Sequence, residues 1–294
     1  MPTNLSSSVL NDWLGSASKE LLQAGVATCR LDCLVLLEDI TKKDRSYLLA
    51  HPEIALPKAD VEKLNRMVER RKNHEPLAYI RGKSEFYGRE FKVNKHTLQP
   101  RPETETMIDL LKQILHSQKP HLLQDSLVTD GGNVNWRIVD VGTGSGCIGI
   151  TAKLEIPEAE VIGVDVSEQC LQVARQNAKK LSAEVKLYQG DLLEPILSSD
   201  RYPLTAILAN LPYVPDGHTI NQAAMQEPKI AIFGGPDGLG LYRRMFAQIK
   251  EYALAPRLIL TESLPFQHLE LSNIAAAHGY KLQKEDDFIQ AFSL

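Results

Sequence analysis

The 294-residue sequence has no excess of positive charge, no long apolar run and few cysteines, and each shortage removes a class of protein. Lys and Arg number 33 against 37 Asp and Glu, a formal net charge of −4. The balance is local as well as global. Residues 1–75 carry 11 basic and 11 acidic side chains, 76–134 carry 8 and 7, and 135–294 carry 14 and 19. No segment is a basic module, so electrostatic affinity for nucleic acid has little support and direct nucleic-acid binding is not expected. The four cysteines, Cys29, Cys33, Cys147 and Cys170, form no Cys-x-x-Cys pair, and no His-x-x-x-His accompanies them. They read as small apolar groups rather than metal ligands or disulfide halves, and no metal site is expected. Met1 to Leu14 lacks the basic start and apolar stretch of a signal peptide, and no run approaches the length of a membrane span. The expectation is a soluble cytoplasmic protein with no membrane partner.

What the sequence does contain is organised in three parts. From Ser7 to Asn73 apolar residues recur at helical spacing, as in Leu10, Trp13, Leu14, Leu21 and Leu22, then Leu34, Leu37 and Ile40, then Val61, Leu64, Met67 and Val68. Pro52 and Pro57 mark a connection. This predicts a small helical domain over 1–75. Glu85 to Val93, turning at Gly88, predicts a hairpin within a linker over 76–100. A helix is expected from Glu103 to His116 and a polar loop from Ser117 to Asn135.

Beyond Trp136 strands and helices alternate. Strands are expected at Arg137–Val141, Val161–Asp165, Val185–Tyr188, Leu204–Ala209 and Arg257–Thr261, with two more at Lys281–Lys284 and Phe288–Ser293. Helices are expected at Cys147–Leu154, Ser167–Leu181, Gly240–Tyr252 and Phe266–Ala277. Such alternation predicts an α/β domain over 101–294 with a mostly parallel, doubly wound seven-stranded sheet.

The first strand runs into Gly142-Thr143-Gly144-Ser145-Gly146, where glycines allow a tight turn and close approach of backbone N–H groups to a ligand. The second strand ends at Asp165, whose carboxylate can accept both hydroxyls of a ribose. A nicotinamide dehydrogenase and a methyltransferase binding S-adenosylmethionine both fit this combination. Asp191 and Leu192 follow the third strand, where a carboxylate and an apolar side chain can flank an adenine ring. The fourth strand ends in Asn210-Leu211-Pro212-Tyr213, which suits an enzyme that methylates a planar amine or amide. An amide nitrogen is a poor nucleophile, so it must be held in line and its lone pair localised. Asn210 and a neighbouring carbonyl can each accept one N–H, Pro212 keeps Leu211 extended, and Tyr213 can lie against the planar acceptor. Acceleration then comes from proximity and dipole placement.

These motifs resemble those of the release factor glutamine methyltransferases, the HemK or PrmC family, and the resemblance spans nearly the whole chain. Asp140 to Gly146 and Asn210 to Tyr213 match the family's cofactor and acceptor motifs. Pro100-Arg101-Pro102-Glu103-Thr104-Glu105 matches the segment before its catalytic domain, and Glu85-Phe86-Tyr87-Gly88 with Phe91 its interdomain hairpin. Glu227-Pro228, Gly234 to Leu239 and Tyr242-Arg243 match its late loop and helix. The resemblance implies a class I, Rossmann-like S-adenosylmethionine-dependent fold behind a helical domain that helps recognise a protein substrate. It implies that Gly142, Thr143, Gly144, Ser145 and Gly146 bind the methionine end of S-adenosyl-L-methionine, which leaves as S-adenosyl-L-homocysteine. Asp165 would hold the ribose, and Asp191 and Leu192 would lie near the adenine. Asn210 would touch cofactor and substrate, with Tyr213 beside it as a catalytic residue. Leu211, Pro212 and Tyr213 would line the acceptor slot, and the substrate would be the glutamine of a Gly-Gly-Gln loop in a peptide-chain release factor. An adenine N6-methyltransferase on DNA or RNA, and a non-catalytic release-factor or ribosome-binding protein, are the alternatives. Three positions depart from the family's pattern: Leu211 replaces a proline, Ser263-Leu264 follow Glu262 in place of Ile-Gly, and Gln290 stands near an expected arginine. The last two are read as peripheral packing.

Overall fold

The structure, a computed structural model, describes residues 8–122, 136–198 and 204–294. The chain divides into two units, Met1–Gly82 with Ile220–Gln226, and Lys83–Thr219 with Glu227–Leu294.

The first unit is built on helices α1 (Leu10–Gln23), α2 (Cys29–Thr41), α3 (Arg45–Ala50), α4 (Lys58–Lys72) and α5 (Leu77–Arg81). Their apolar faces meet in a core that includes Leu14, Leu21, Leu37, Leu48, Leu64 and Cys33. Burial pushes the Cys33 thiol up to about 11, so it stays a neutral packing group. The Asp44 side chain accepts the Tyr47 N–H at 2.8 Å and caps α3. Ser8–Val9 (β1) and Ala55–Leu56 (β2) pair antiparallel, a two-residue ladder that helical spacing did not predict.

The second unit opens with a hairpin, β3 (Lys83–Phe86) and β4 (Arg89–Lys92). Phe86 and Phe91 are fully buried in the same apolar cluster as Ile138 and Ile150, and Asn177 both donates to the Lys92 carbonyl (2.9 Å) and accepts its N–H (2.7 Å). The hairpin is thus part of the second unit's core.

Helix α6 (Glu105–Leu122) continues past the expected end at His116 and takes in Pro120, at the cost of one helix hydrogen bond. The remainder of the expected loop, residues 123–135, lies outside the described residues, as does any reading of 1–7.

Next come β5 (Arg137–Val141), α7 (Cys147–Glu155), β6 (Glu160–Asp165), α8 (Glu168–Leu181), β7 (Val185–Gln189), β8 (Ala206–Ala209), α9 (Gly240–Glu251), β9 (Leu258–Glu262), α10 (His268–Ala276), β10 (Lys281–Asp286) and β11 (Ile289–Ser293). Among the described residues seven strands form one sheet in the order β10-β11-β9-β8-β5-β6-β7. The pairs between β9 and β7 are parallel, and β11 runs antiparallel to both neighbours. Strand β5 pairs with β6 on one side and β8 on the other, so the order reverses there, the place where doubly wound sheets bind ligands beyond their carboxyl ends. Among the described residues no helix is long and apolar enough to cross a membrane.

Candidate functional site

The parallel register explains how residues far apart in sequence come to one edge. Val141 pairs with Val164 and Ala209, Ala209 with Thr261, and Asp165 with Gln189. One step further along each strand, Asp165, Gly142, Asn210 and Glu262 stand in a row at the carboxyl ends of β6, β5, β8 and β9.

Above this row lies a cavity of about 410 Å³, within the range of small-molecule sites, lined on one wall by Gly142, Gly144 and Asp165 and on another by Asn210, Leu211 and Pro212. Asp191 and Leu192 also line it. Thr143, Ser145, Gly146 and Tyr213 are not among the residues that line it. Among the described residues no group of three His, Cys, Asp or Glu is placed to hold a metal ion.

The glycine turn is shaped by steric demand. Gly142, Gly144 and Gly146 have φ of +73°, +56° and +81°, a region closed to most L-residues. A Cβ on Gly146 would come within 2.8 Å of Ile150 Cδ1 and 3.1 Å of Ala174 Cβ, so only glycine lets α7 start this close to α8. The Asp140 carboxylate braces the turn from below: Oδ2 accepts the Gly149 N–H (2.9 Å) and the Thr143 hydroxyl (2.5 Å), while Oδ1 is buried without a partner. Burial raises Asp140 from 3.8 to about 6.

Asp165 is also raised, first by burial, against two backbone donors: Gly144 N–H reaches Oδ2 and Ser167 N–H reaches Oδ1, each at 2.8 Å. The Cys170 thiol also bonds the carboxylate, and the acceptor directions that remain suit a pair of vicinal hydroxyls. At the far end Arg244 is ion-paired with the Asp191 carboxylate, and both line the cavity. Leu192, buried and at φ +54°, supplies apolar wall beside them. The cavity therefore offers open glycine backbone and a carboxylate at one end and a mixed apolar wall at the other, a lining that fits an adenosyl group with an amino-acid tail.

The acceptor side is organised by a carboxylate to which the sequence analysis assigns no role. Glu262 is 1% exposed and lies under both Asn210 and Tyr213. Its Oε2 accepts from Asn210 Nδ2 at 3.0 Å and its Oε1 from the Tyr213 hydroxyl at 3.0 Å. Thr104, from the short turn before α6, accepts from Asn210 Nδ2 at 3.2 Å and hydrogen-bonds Glu262 with its own hydroxyl. Burial raises Glu262 above its ordinary value, although three donors oppose the shift. Glu262 occupies the last position of a parallel strand, the same signal that singled out Asp165, and that signal was available in the sequence. Gln290 is buried between Ser272 and Glu285, away from the cavity lining, as the packing reading expects.

Leu211 lines the cavity and makes two further contacts. Its N–H donates to the Tyr242 hydroxyl at 3.3 Å, and its side chain is 2% exposed. A Cβ on Gly142 would meet its Cδ2 at 3.2 Å, so the leucine packs directly over the glycine turn. The Tyr242 hydroxyl in turn bonds the backbone carbonyl of Glu262, tying the end of β9 to the loop after β8.

Residues 12–82 match the PrmC N-terminal domain and 133–228 a methyltransferase domain. The chain is 38% identical to the release factor glutamine methyltransferase of Bacillus subtilis, over 79% of this chain and 77% of that one. It is 36% identical to the release factor glutamine methyltransferase of Koribacter versatilis, over 81% and 80% of the two. A bifunctional methyltransferase of Rickettsia bellii is 33% identical over 96% of this chain, which spans 53% of that protein, about half its length. Among solved structures, the hMettl16 catalytic domain in complex with the MAT2A 3'UTR hairpin 6 superposes with a TM-score of 0.50 at 13% identity, over 85% of this chain and 92% of that one. At that identity the likeness is one of fold alone.

Proposed function

Because the chain belongs to the release factor glutamine methyltransferase family, we propose that it methylates the side-chain nitrogen of the glutamine in the Gly-Gly-Gln loop of a peptide-chain release factor. Its fold is that of the class I S-adenosylmethionine-dependent methyltransferases. The observation that carries the reading is that the glycine turn and Asn210 face one cavity from adjacent strands.

S-Adenosylmethionine, when bound, supplies an electrophilic methyl group. In this reading Gly142 to Gly146 hold its methionine end, Asp165 its ribose, and Asp191 and Leu192 its adenine. The chain's own task is to make an amide nitrogen nucleophilic. Asn210 Oδ1 accepts one N–H of the substrate amide and a backbone carbonyl beside Pro212 accepts the other, which fixes the nitrogen's position and favours a localised lone pair. Tyr213, with its hydroxyl on Glu262, keeps its ring in one orientation beside the acceptor. No strong base is needed, since the product amide sheds its proton to solvent after transfer.

The test is transfer of labelled methyl from S-adenosylmethionine to release factor, DNA and RNA in parallel, followed by mass analysis of the labelled product. Label on the release-factor glutamine supports the proposal. Label on adenine in DNA or RNA alone would replace it with the nucleic-acid reading. Cofactor binding without transfer to any of the three would favour a non-catalytic binding protein.

A further inference from the structure

We infer that Glu262, assisted by Thr104, is a positioning residue that decides which end of the Asn210 amide faces the acceptor; this rests on the proposed amide methylation. An asparagine side chain has two nearly isosteric orientations, one presenting oxygen and the other nitrogen to a given direction. Only the first can accept an N–H from a substrate amide. A neutral neighbour that both donates and accepts would tolerate either orientation.

Here the neighbour is a carboxylate that only accepts. Oε2 of Glu262 takes one Asn210 N–H at 3.0 Å and Thr104 Oγ1 stands 3.2 Å from the same nitrogen. Both hydrogens of Nδ2 are thereby committed to this cluster, and Oδ1 is the polar end of Asn210 outside it. The Thr104 hydroxyl is itself polarised, because its own proton goes to Glu262. Tyr213 occupies Oε1 at 3.0 Å, so the carboxylate is fixed in rotation as well as in place. The result is a three-donor cradle whose one negative charge selects the catalytic orientation of Asn210.

The choice of glutamate over glutamine is informative. Burying a carboxylate in this position costs more than burying an amide of equal size. A glutamine could serve as a purely structural hydrogen-bond node, yet its NH₂ would oppose one of the three donors. Asn210 would then turn over, place Oδ1 on the glutamine and present Nδ2 to the substrate N–H.

The experiment compares wild type with Glu262→Gln in the full chain. Release-factor methylation is followed at varied substrate, cofactor affinity by calorimetry, and the Asn210 side-chain amide by NMR of ¹⁵N-labelled protein. Glu262→Gln is expected to lower kcat by about 100-fold, the order seen when one oriented dipole is lost from a transition-state site. The KM for release factor and the cofactor Kd should stay within about threefold. In wild type the Asn210 amide protons should exchange slowly, and in the variant that protection should be lost. A kcat within about threefold of wild type, or unchanged Asn210 resonances, would overturn the inference. So would a rise in KM or Kd as large as the fall in kcat, which marks a merely structural role. Thr104→Val, which keeps the shape and removes one acceptor, gives a second readout if Glu262→Gln does not fold. It should lower kcat about tenfold at constant cofactor affinity, and an unchanged kcat would again overturn the inference. If wild type leaves release factor unmodified, the substrate reading fails, while the Asn210 resonances still decide the positioning role.

Discussion

At the scale of single residues the site is governed by where buried charge and donors meet. Asp165 accepts two backbone N–H groups and in the proposed function two ribose hydroxyls as well. Asp165→Ala should therefore weaken cofactor binding by about 1.5–3 kcal/mol, the value of a charge-assisted bond, measured by calorimetry on the folded variant. Unchanged affinity would remove Asp165 from the ribose. Leu211→Pro deletes an N–H bonded to Tyr242 and empties part of the packing over Gly142. It should destabilise the fold by about 1–3 kcal/mol in urea, because the Tyr242 hydroxyl loses a buried donor. A midpoint equal to wild type would show that the bond carries nothing. Asp140 sets a pH dependence of its own. With its value raised from 3.8 to about 6, the folded chain keeps a proton that the unfolded chain has released across that window. Stability attributable to this group falls as pH rises from about 4 to 6 and stays low above. Asp140→Asn should gain stability relative to wild type at pH 7 and lose that gain near pH 4. A gain that grows toward acid would contradict the burial.

At the scale of elements, strand–helix alternation was legible because the central strands β5, β6, β8 and β9 are buried on both faces. The helix from Cys147 and the strand from Arg137 stand where the spacing places them. Polarity misled at α6, since Ser117 and Gln118 read as loop although neither breaks a helix. The pairing of Ser8–Val9 with Ala55–Leu56 was not legible, because two residues carry no period. Asp165, Gly142 and Asn210, which line the cavity, were legible because each stands at the carboxyl end of a strand. Glu262 satisfies the same rule, but its partners Asn210 and Thr104 lie 52 and 158 positions away, the first joined to it by the register of β8 and β9 and the second by the turn before α6. The late loop depends on glycine for a related reason. A Cβ on Gly238, at φ +81°, would stand 1.9 Å from the Tyr213 carbonyl oxygen, backbone that cannot move without moving Asn210. Gly238→Ala should lower methyl transfer by at least about tenfold, with a smaller effect on cofactor affinity, measured by single-turnover transfer and calorimetry. Wild-type transfer would show that the loop tolerates the displacement.

At the scale of the whole molecule, the site residues lie in the second unit and the hairpin belongs to that unit's core. A fragment beginning at Lys83 should fold and bind cofactor, whereas one beginning at Thr97 removes Phe86 and Phe91 and should not. Each buried phenylalanine is worth about 3–5 kcal/mol when truncated, so losing both exceeds what most domains can spare. Equal thermal stability of the two fragments would contradict the packing. Whether the proposed chemistry takes place on this scaffold is read most directly by tandem mass spectrometry of release factor after incubation with S-adenosylmethionine. Wild type should add one methyl group, on the glutamine side chain of the Gly-Gly-Gln loop, and Asn210→Ala should add none in the same time while still binding cofactor. Methylation at any other residue, or full methylation by Asn210→Ala, would contradict the orientation of an amide by Asn210.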